Sequence, residues 1–340
     1  MTCPAVPRGL ARQVRVCLAA LAIATGLAAC TPALQPAGPA TVAPAVEAES
    51  FRMADGYRLP YRRTGPDNPV AVIVALHGYG DYRAAWDEPA ERWAKAGIAT
   101  YAYDQRGFGA TARPGIWAGV PTLVADAREV VALVHARHPG VPLTLVGESM
   151  GSAVIMAMLG GGAPEGVVTA VLGAPAVRGR ASLGPLATGM LDLVNAAMPG
   201  LRLSGGNVRI RASDNDAMLR RMGRDPLVQK SARVDALAGL VDLMDAAHSG
   251  APGIDLPVLL MYGARDGLVP CAAVSQVVER FRVPPVVALY GNGYHMLFRD
   301  LDSPVVQHDA LVWTLNPQGP LPSRADDRLA ANGCRLPVAG

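Results

Sequence analysis

The sequence predicts an α/β fold, a mostly parallel, doubly wound sheet interrupted by an inserted helical cap. Three observations predict it. Apolar strand-like runs alternate with helix-like segments between residues 70 and 174. Residues 142–159 read as strand, G-x-S-x-G turn and helix without a break. Between Ala176 and Pro252 the alternation stops, and apolar residues recur instead at helical spacing.

The chain begins with a leader-like segment. Arg8, Arg12 and Arg15 precede an apolar stretch, Val16 to Ala24, that is too short to span a bilayer as a helix. Leu27-Ala28-Ala29-Cys30 closes it and resembles a bacterial lipobox. That resemblance implies cleavage after residue 29, lipidation of Cys30 and a site in the cell envelope. Thr31 rather than Asp follows the cysteine, which implies the outer membrane, with the domain facing the periplasm. Residues 30–50 are rich in Pro and Ala and are expected to form a disordered tether.

The core is expected over residues 51–175 and 253–316. Phe51 to Thr64 reads as a strand pair joined at Ala54-Asp55-Gly56, a type I′-like turn signal. Strands follow at 70–76, 99–104, 143–148 and 167–174, with helices at 84–96, 121–138 and 150–160. Residues 176–252 are expected to form the cap. In it Leu183, Leu186, Met190, Leu191 and Val194 make one helical stripe, with further helices at 214–221 and 234–247. For each stripe residue, packing against the body is the expected role. Two more buried strands, at Leu256–Gly263 and Pro285–Tyr290, complete the sheet, and residues 317–340 form a C-terminal tail.

The chemistry sits at strand ends. Gly147 and Gly151 flank Ser149 in a turn too tight for side chains on both sides. Such a turn lifts a serine hydroxyl off the sheet and leaves the Met150 N–H free to bind an oxyanion. Asp266 follows the 256–263 strand and His295 follows the 285–290 strand, so acid precedes histidine along the chain. His295 would take the proton of Ser149, and Asp266 would hold the imidazole. The loop His77-Gly78-Tyr79-Gly80-Asp81 follows the 70–76 strand, and its Tyr79 N–H is the second expected oxyanion donor. His77 has no second ligand at zinc spacing and reads as a loop-ordering residue. His135, His138, His248 and His308 read as surface or packing residues, Asp255 lies at the wrong end of its strand, and Asp300 follows the histidine.

The chain resembles α/β-hydrolases of the monoacylglycerol lipase and lysophospholipase group, within the serine aminopeptidase-like superfamily. Four blocks carry the resemblance: residues 77–81, Tyr103-Asp104-Gln105-Arg106-Gly107-Phe108-Gly109, residues 147–151, and Gly263 to Pro270. Asp225-Pro226-Leu227-Val228 adds the end of a cap. Ser152 stands where a third glycine is common, and Phe108 where a histidine is frequent. The resemblance implies the α/β-hydrolase fold, no cofactor or metal, and hydrolysis of a small-molecule or lipid ester, with the cap over the site. Other readings are an aminopeptidase, with Asp214 or Asp216 clamping a substrate amine, a general carboxylesterase, or a non-catalytic binding lipoprotein.

Composition fits a single domain, which is expected to be monomeric and to meet the membrane through its N-terminal lipid anchor. The 340 residues carry 31 basic and 28 acidic side chains. Without the three leader arginines the balance is 28 against 28, which gives no footprint for nucleic acid. Cys3 and Cys17 leave with the leader, and Cys30 is acylated. Cys271 and Cys334 remain as an even pair in an oxidising compartment, expected to be bridged.

Overall fold

The computed structural model describes residues 31–204 and 210–327. Its centre is a nine-stranded sheet. In chain order the strands of this sheet are β1 (Ala45–Val46), β2 (Ser50–Arg52), β3 (Arg58–Thr64), β4 (Ala71–Leu76), β5 (Ile98–Tyr103), β6 (Leu143–Glu148), β7 (Val167–Gly173), β10 (Val258–Gly263) and β11 (Val286–Tyr290). The spatial order is β1-β2-β3-β5-β4-β6-β7-β10-β11. From β5 to β11 every pairing is parallel, while β1, β2 and β3 form an antiparallel edge. A small antiparallel ribbon, β8 (Arg202–Ser204) with β9 (Ser231–Arg233), lies outside this sheet.

Burial explains the parallel part. Every residue of β4, β5, β6 and β10 is buried, as unbroken apolar runs require when helices cover both faces. One core lies under α2 (Val120–Arg137), α3 (Met150–Leu159), α6 (Val234–Gly250) and α7 (Cys271–Val278). The other is built on Trp86, Trp93, Phe298 and Trp313, under α1 (Asp87–Ala94) and α8 (Ser303–Leu315). Two of its indole donors are satisfied: Trp93 Nε1 donates to the Gln307 carbonyl and Trp313 Nε1 to Thr169 Oγ1. From β4 the chain crosses to β5 on one side and later enters β6 on the other. The carboxyl ends of β4 and β6 therefore flank a topological switch point, where such sheets bind ligands.

Four expectations need correction. The β2–β3 turn is not type I′, because only Gly56 has positive φ (79°). The Gly56 N–H donates to the Met53 carbonyl and the Met53 N–H to that of Tyr57, a type I turn closed by glycine in the left-handed region. The segment after Cys30 is not a disordered tether. Leu34 bridges to Trp117, Gln35 is buried and donates to the Ile116 carbonyl, and the Ala37 N–H donates to Thr122 Oγ1. Helix α6 buries Val234, Ala236, Leu243 and Ala247 against α3 and α2, so it belongs to the body and the cap ends near Arg233. Finally, α4 (Arg180–Ala197), which α5 (Asp216–Arg224) follows in the cap, carries the predicted stripe but buries none of its residues.

The tail divides. Leu321 and Ala325 are buried against the second core, and Ser323 Oγ donates to Asp309. Cys271 is disulfide-bonded. Its expected partner Cys334, the expected lipidation site Cys30 and the leader lie outside the described residues.

Candidate active site

The turn after β6 has the geometry its sequence predicts. Ser149 adopts φ 54° and ψ −113°, a strained conformation for a residue with a side chain. The strain persists because the turn has no room to relax. A Cβ on Gly151 would stand 2.1 Å from the Leu76 carbonyl oxygen, and one on Gly147 2.5 Å from the Ser152 nitrogen. Ser152, in place of the third glycine, is buried and donates its hydroxyl to the Gly173 carbonyl at 3.1 Å.

Three predicted residues meet here. Ser149 Oγ lies 2.9 Å from His295 Nε2, and His295 Nδ1 lies 2.8 Å from Asp266 Oδ2. A neutral imidazole with its proton on Nδ1 satisfies both bonds. The other Asp266 oxygen accepts the N–H groups of Leu268 and Val269 at 2.8 and 3.0 Å, which fixes the carboxylate. The two loops hold each other, as the Arg265 N–H donates to Gly293 and the Ala264 N–H to Tyr290. Burial disfavours the charged form of His295. The hydrogen bond and charge of Asp266, with the charges of Glu148 and Asp300, outweigh it and raise the pKa above the usual histidine value.

Met150 is the first residue of α3, where a helix N–H has no intrahelical partner. Opposite it, Gly78 comes so close that a Cβ there would lie 3.4 Å from Ser149 Cβ. Tyr79 lines the same cavity. His77 orders this loop, as expected: it is fully buried, pairs through Nδ1 with the Gly78 carbonyl and accepts the Gln105 N–H on Nε2. Burial lowers its pKa, so it stays neutral. Phe108, the departure from the common histidine, packs edge-on against the rings of His77 and Tyr79.

Ser149 opens into a cavity of about 420 Å³. Its apolar wall comes from Leu237, Leu240 and Met244 of α6 and from Met222, Val228 and Leu268. The α4 stripe contributes nothing to it. Asp214 and Asp216, the candidate amine clamp, do not line it: Asp214 accepts the Leu301 N–H and Asp216 pairs with Arg211.

Sequence reading missed a buried ion network beside the serine. Arg299 Nη2 lies 2.9 Å from Glu148 and 2.7 Å from Asp81. Burial alone would lower the Arg299 pKa, but the two carboxylates reverse this and keep it protonated. The Asp81 in the glycine loop and the Glu148 next to Ser149 were the available signals, without a hint of their shared cation. The remaining candidates take minor roles. His138 Nε2 meets the Tyr101 hydroxyl, His248 Nε2 meets the Val177 carbonyl, and His308 and Asp255 are exposed. Asp300 is buried and accepts the Tyr294 N–H at 2.7 Å, one residue before His295.

A monoacylglycerol lipase of Mycolicibacterium smegmatis is 26% identical over 271 residues, covering 78% of this chain and 96% of that protein. A mouse monoglyceride lipase is 26% identical over 267 residues, covering 76% and 88%. Among solved structures, a soluble variant of the Saccharomyces cerevisiae monoglyceride lipase superposes with a TM-score of 0.66 at 18% identity, covering 81% of this chain and 96% of that one. The Paleococcus ferrophilus monoacylglycerol lipase gives 0.63 at 23%, covering 76% and 98%. Such likeness fixes the fold as that of the α/β-hydrolases. The family described as serine aminopeptidase, S33, matches residues 67–302, more than half of the chain, and to that family this chain belongs.

Proposed function

We propose that this chain is a serine hydrolase of carboxylic esters, acting on monoacylglycerols or lysophospholipids. The single observation that carries the reading is the Ser149–His295–Asp266 relay, at 2.9 and 2.8 Å, opening into a cavity walled by aliphatic and thioether side chains. Ser149 Oγ attacks the ester carbonyl while His295 Nε2 takes its proton. The tetrahedral oxyanion is held by the N–H groups of Met150 and Tyr79. His295 then returns the proton to the departing alcohol, and a water molecule activated by the same imidazole releases the acid from Ser149. Relatives named as monoacylglycerol lipases support the lipid choice, as does the lack of an acidic clamp from Asp214 or Asp216 in the cavity.

The reading extends to the cell. Lipidation at Cys30 would hold a monomeric enzyme in the envelope, at the outer membrane facing the periplasm, where amphiphilic esters collect. A Cys271–Cys334 bridge would pin the C-terminal tail.

The test is a series of esters of graded acyl length with an aminoacyl amide as control. Burying one methylene contributes about 0.8 kcal/mol, so kcat/KM should rise a few-fold per added CH₂ until the cavity is full. A flat series, or faster cleavage of the amide than of any ester, would replace the lipase reading with a peptidase one.

A further inference from the structure

The second half of the cap is bonded to two loops of the site at once. At its near end the Ala212 carbonyl accepts the N–H of Met296, the residue after His295, at 2.9 Å. Asn215 Nδ2 donates to the Arg299 carbonyl at 3.0 Å, and Asp214 Oδ1 accepts the Leu301 N–H at 2.8 Å. Residues 212–215 are therefore fixed to the loop that carries His295.

The far end holds the glycine loop after β4. The Gln229 N–H donates to the Gly80 carbonyl at 2.8 Å, and Gln229 Nε2 donates to the Gly107 carbonyl at 2.8 Å. Gly80, at φ 77°, comes so close that a Cβ there would stand 3.5 Å from the Gln229 carbonyl oxygen. Gln229 is thus bonded to the residue after Tyr79. Through Gly107 it is also bonded to the residue before Phe108, whose ring packs 5.3 Å from that of Tyr79. Nearby, the Tyr82 hydroxyl donates to Asp225 Oδ2 at 2.6 Å. Gln229 itself lines the cavity of Ser149.

Helix α5 joins the two ends as a spacer about 13 Å long. Both its termini are satisfied. Asn215 Oδ1 accepts the Met218 N–H at 3.1 Å at the start. At the end Lys230 Nζ donates to the carbonyls of Met222, Asp225 and Val228 at 2.6, 2.7 and 2.8 Å, where a cation suits the helix dipole. The cap is therefore of two kinds. Helix α4 buries no residue, whereas residues 212–230 run as a bonded strut from the His295 loop to the Tyr79 loop.

An oxyanion donor acts only when its N–H lies within hydrogen-bond reach of the forming oxyanion, and a misplacement of about 1 Å can cost on the order of 10²-fold in rate. We infer that Gln229 is a positioning residue that sets the Tyr79 N–H, and that residues 212–230 fix its spacing from His295. The inference rests on the serine hydrolase reading for its effect on turnover, but the hold of Gln229 on the loop does not depend on it.

The test replaces the side chain at nearly constant length, with Gln229→Met, and compares the variant with the parent in the full chain. On a soluble short-chain ester kcat should fall about tenfold, with KM within twofold. A phenylboronic acid, whose tetrahedral adduct on Ser149 places an oxygen in the oxyanion site, should bind about tenfold more weakly. Hydrogen exchange of the peptide over residues 77–82 should quicken at least threefold, with strand β10 unchanged. Tyr82→Phe, which removes only the hydroxyl on Asp225, should lower kcat in the same sense by a smaller factor. Unchanged kcat and unchanged exchange in Gln229→Met overturn the inference. So does a loss carried by KM alone with normal boronate affinity, because Gln229 would then only shape the cavity. If the parent hydrolyses no ester, the hydrolase reading fails, and exchange over residues 77–82 still decides whether Gln229 holds the loop.

Discussion

Arg299 reaches the residue beside the nucleophile: its guanidinium lies 2.9 Å from the carboxylate of Glu148, and both side chains are buried. Its second partner, Asp81, is on the oxyanion loop. One cation thus ties the ends of β4 and β6 to the loop that carries His295. Arg299→Met should leave two buried carboxylates unpaired and cost about 3–5 kcal/mol of stability. Adding Asp81→Asn and Glu148→Gln should restore part of it. Urea denaturation of the three proteins measures this, and an unchanged midpoint in Arg299→Met would show that the network is not structural.

Ser149→Ala should abolish ester turnover in a protein that still folds. Among the described residues the hydroxyl bonds only to His295, so its loss removes chemistry and little packing. Nucleophile removal of this kind costs on the order of 10⁶ in turnover. A fluorophosphonate probe should label the parent and not the variant. Labelling of Ser149→Ala would assign the nucleophile elsewhere.

What the sequence revealed and what it hid follow from the same physics. Strands such as Ala71–Leu76 and Leu143–Glu148 were legible because burial on both faces demands continuous apolar runs. Ser149, Asp266 and His295 were legible because each follows a strand, at the carboxyl ends of the sheet where such sites form. Arg299 was not, since an isolated charge 151 residues from Glu148 has no periodicity to betray it. The stripe of Leu183, Leu186, Met190, Leu191 and Val194 was seen, but packing was expected of it and none of the five is fully buried. Spacing identifies an apolar face and is silent on what covers it. Composition misled for residues 31–50, where Pro and Ala suggest disorder while backbone groups and Gln35 bond to the body.

The pH profile should report His295. Its pKa is raised above 6.5, and only the neutral imidazole can accept the serine proton. The acidic limb of kcat/KM should therefore have its midpoint above pH 6.5, with activity rising as pH passes through it. Asp266→Asn removes both the hydrogen-bonded charge and the correct tautomer, so turnover should fall about 10⁴-fold. The midpoint of what remains should move to lower pH. A variant profile superimposable on the parent's would remove Asp266 from the role of partner.

Asp300 offers a stability test of the same loop. It is buried and holds the Tyr294 N–H, yet its pKa is pushed from 3.8 to about 6. Burial is the main cause, and the charges of Asp214 and Glu148 add to it against the Tyr294 and Ser213 bonds. The folded protein thus binds this proton more tightly than the unfolded chain does. Its contribution is most favourable below about pH 4 and worsens as pH rises from there to about 6. Above that range the ionised group costs up to about 3 kcal/mol. Asparagine keeps an oxygen for the Tyr294 N–H and never ionises. Asp300→Asn should therefore match the parent near pH 4 and exceed it in stability at pH 8, by urea denaturation at both values. The variant should also shift the acidic limb of kcat/KM downward, because Asp300 is one of the anions that raise the pKa of His295. A variant less stable than the parent at pH 8 would mean that the charged bond to Tyr294 outweighs the cost of burial.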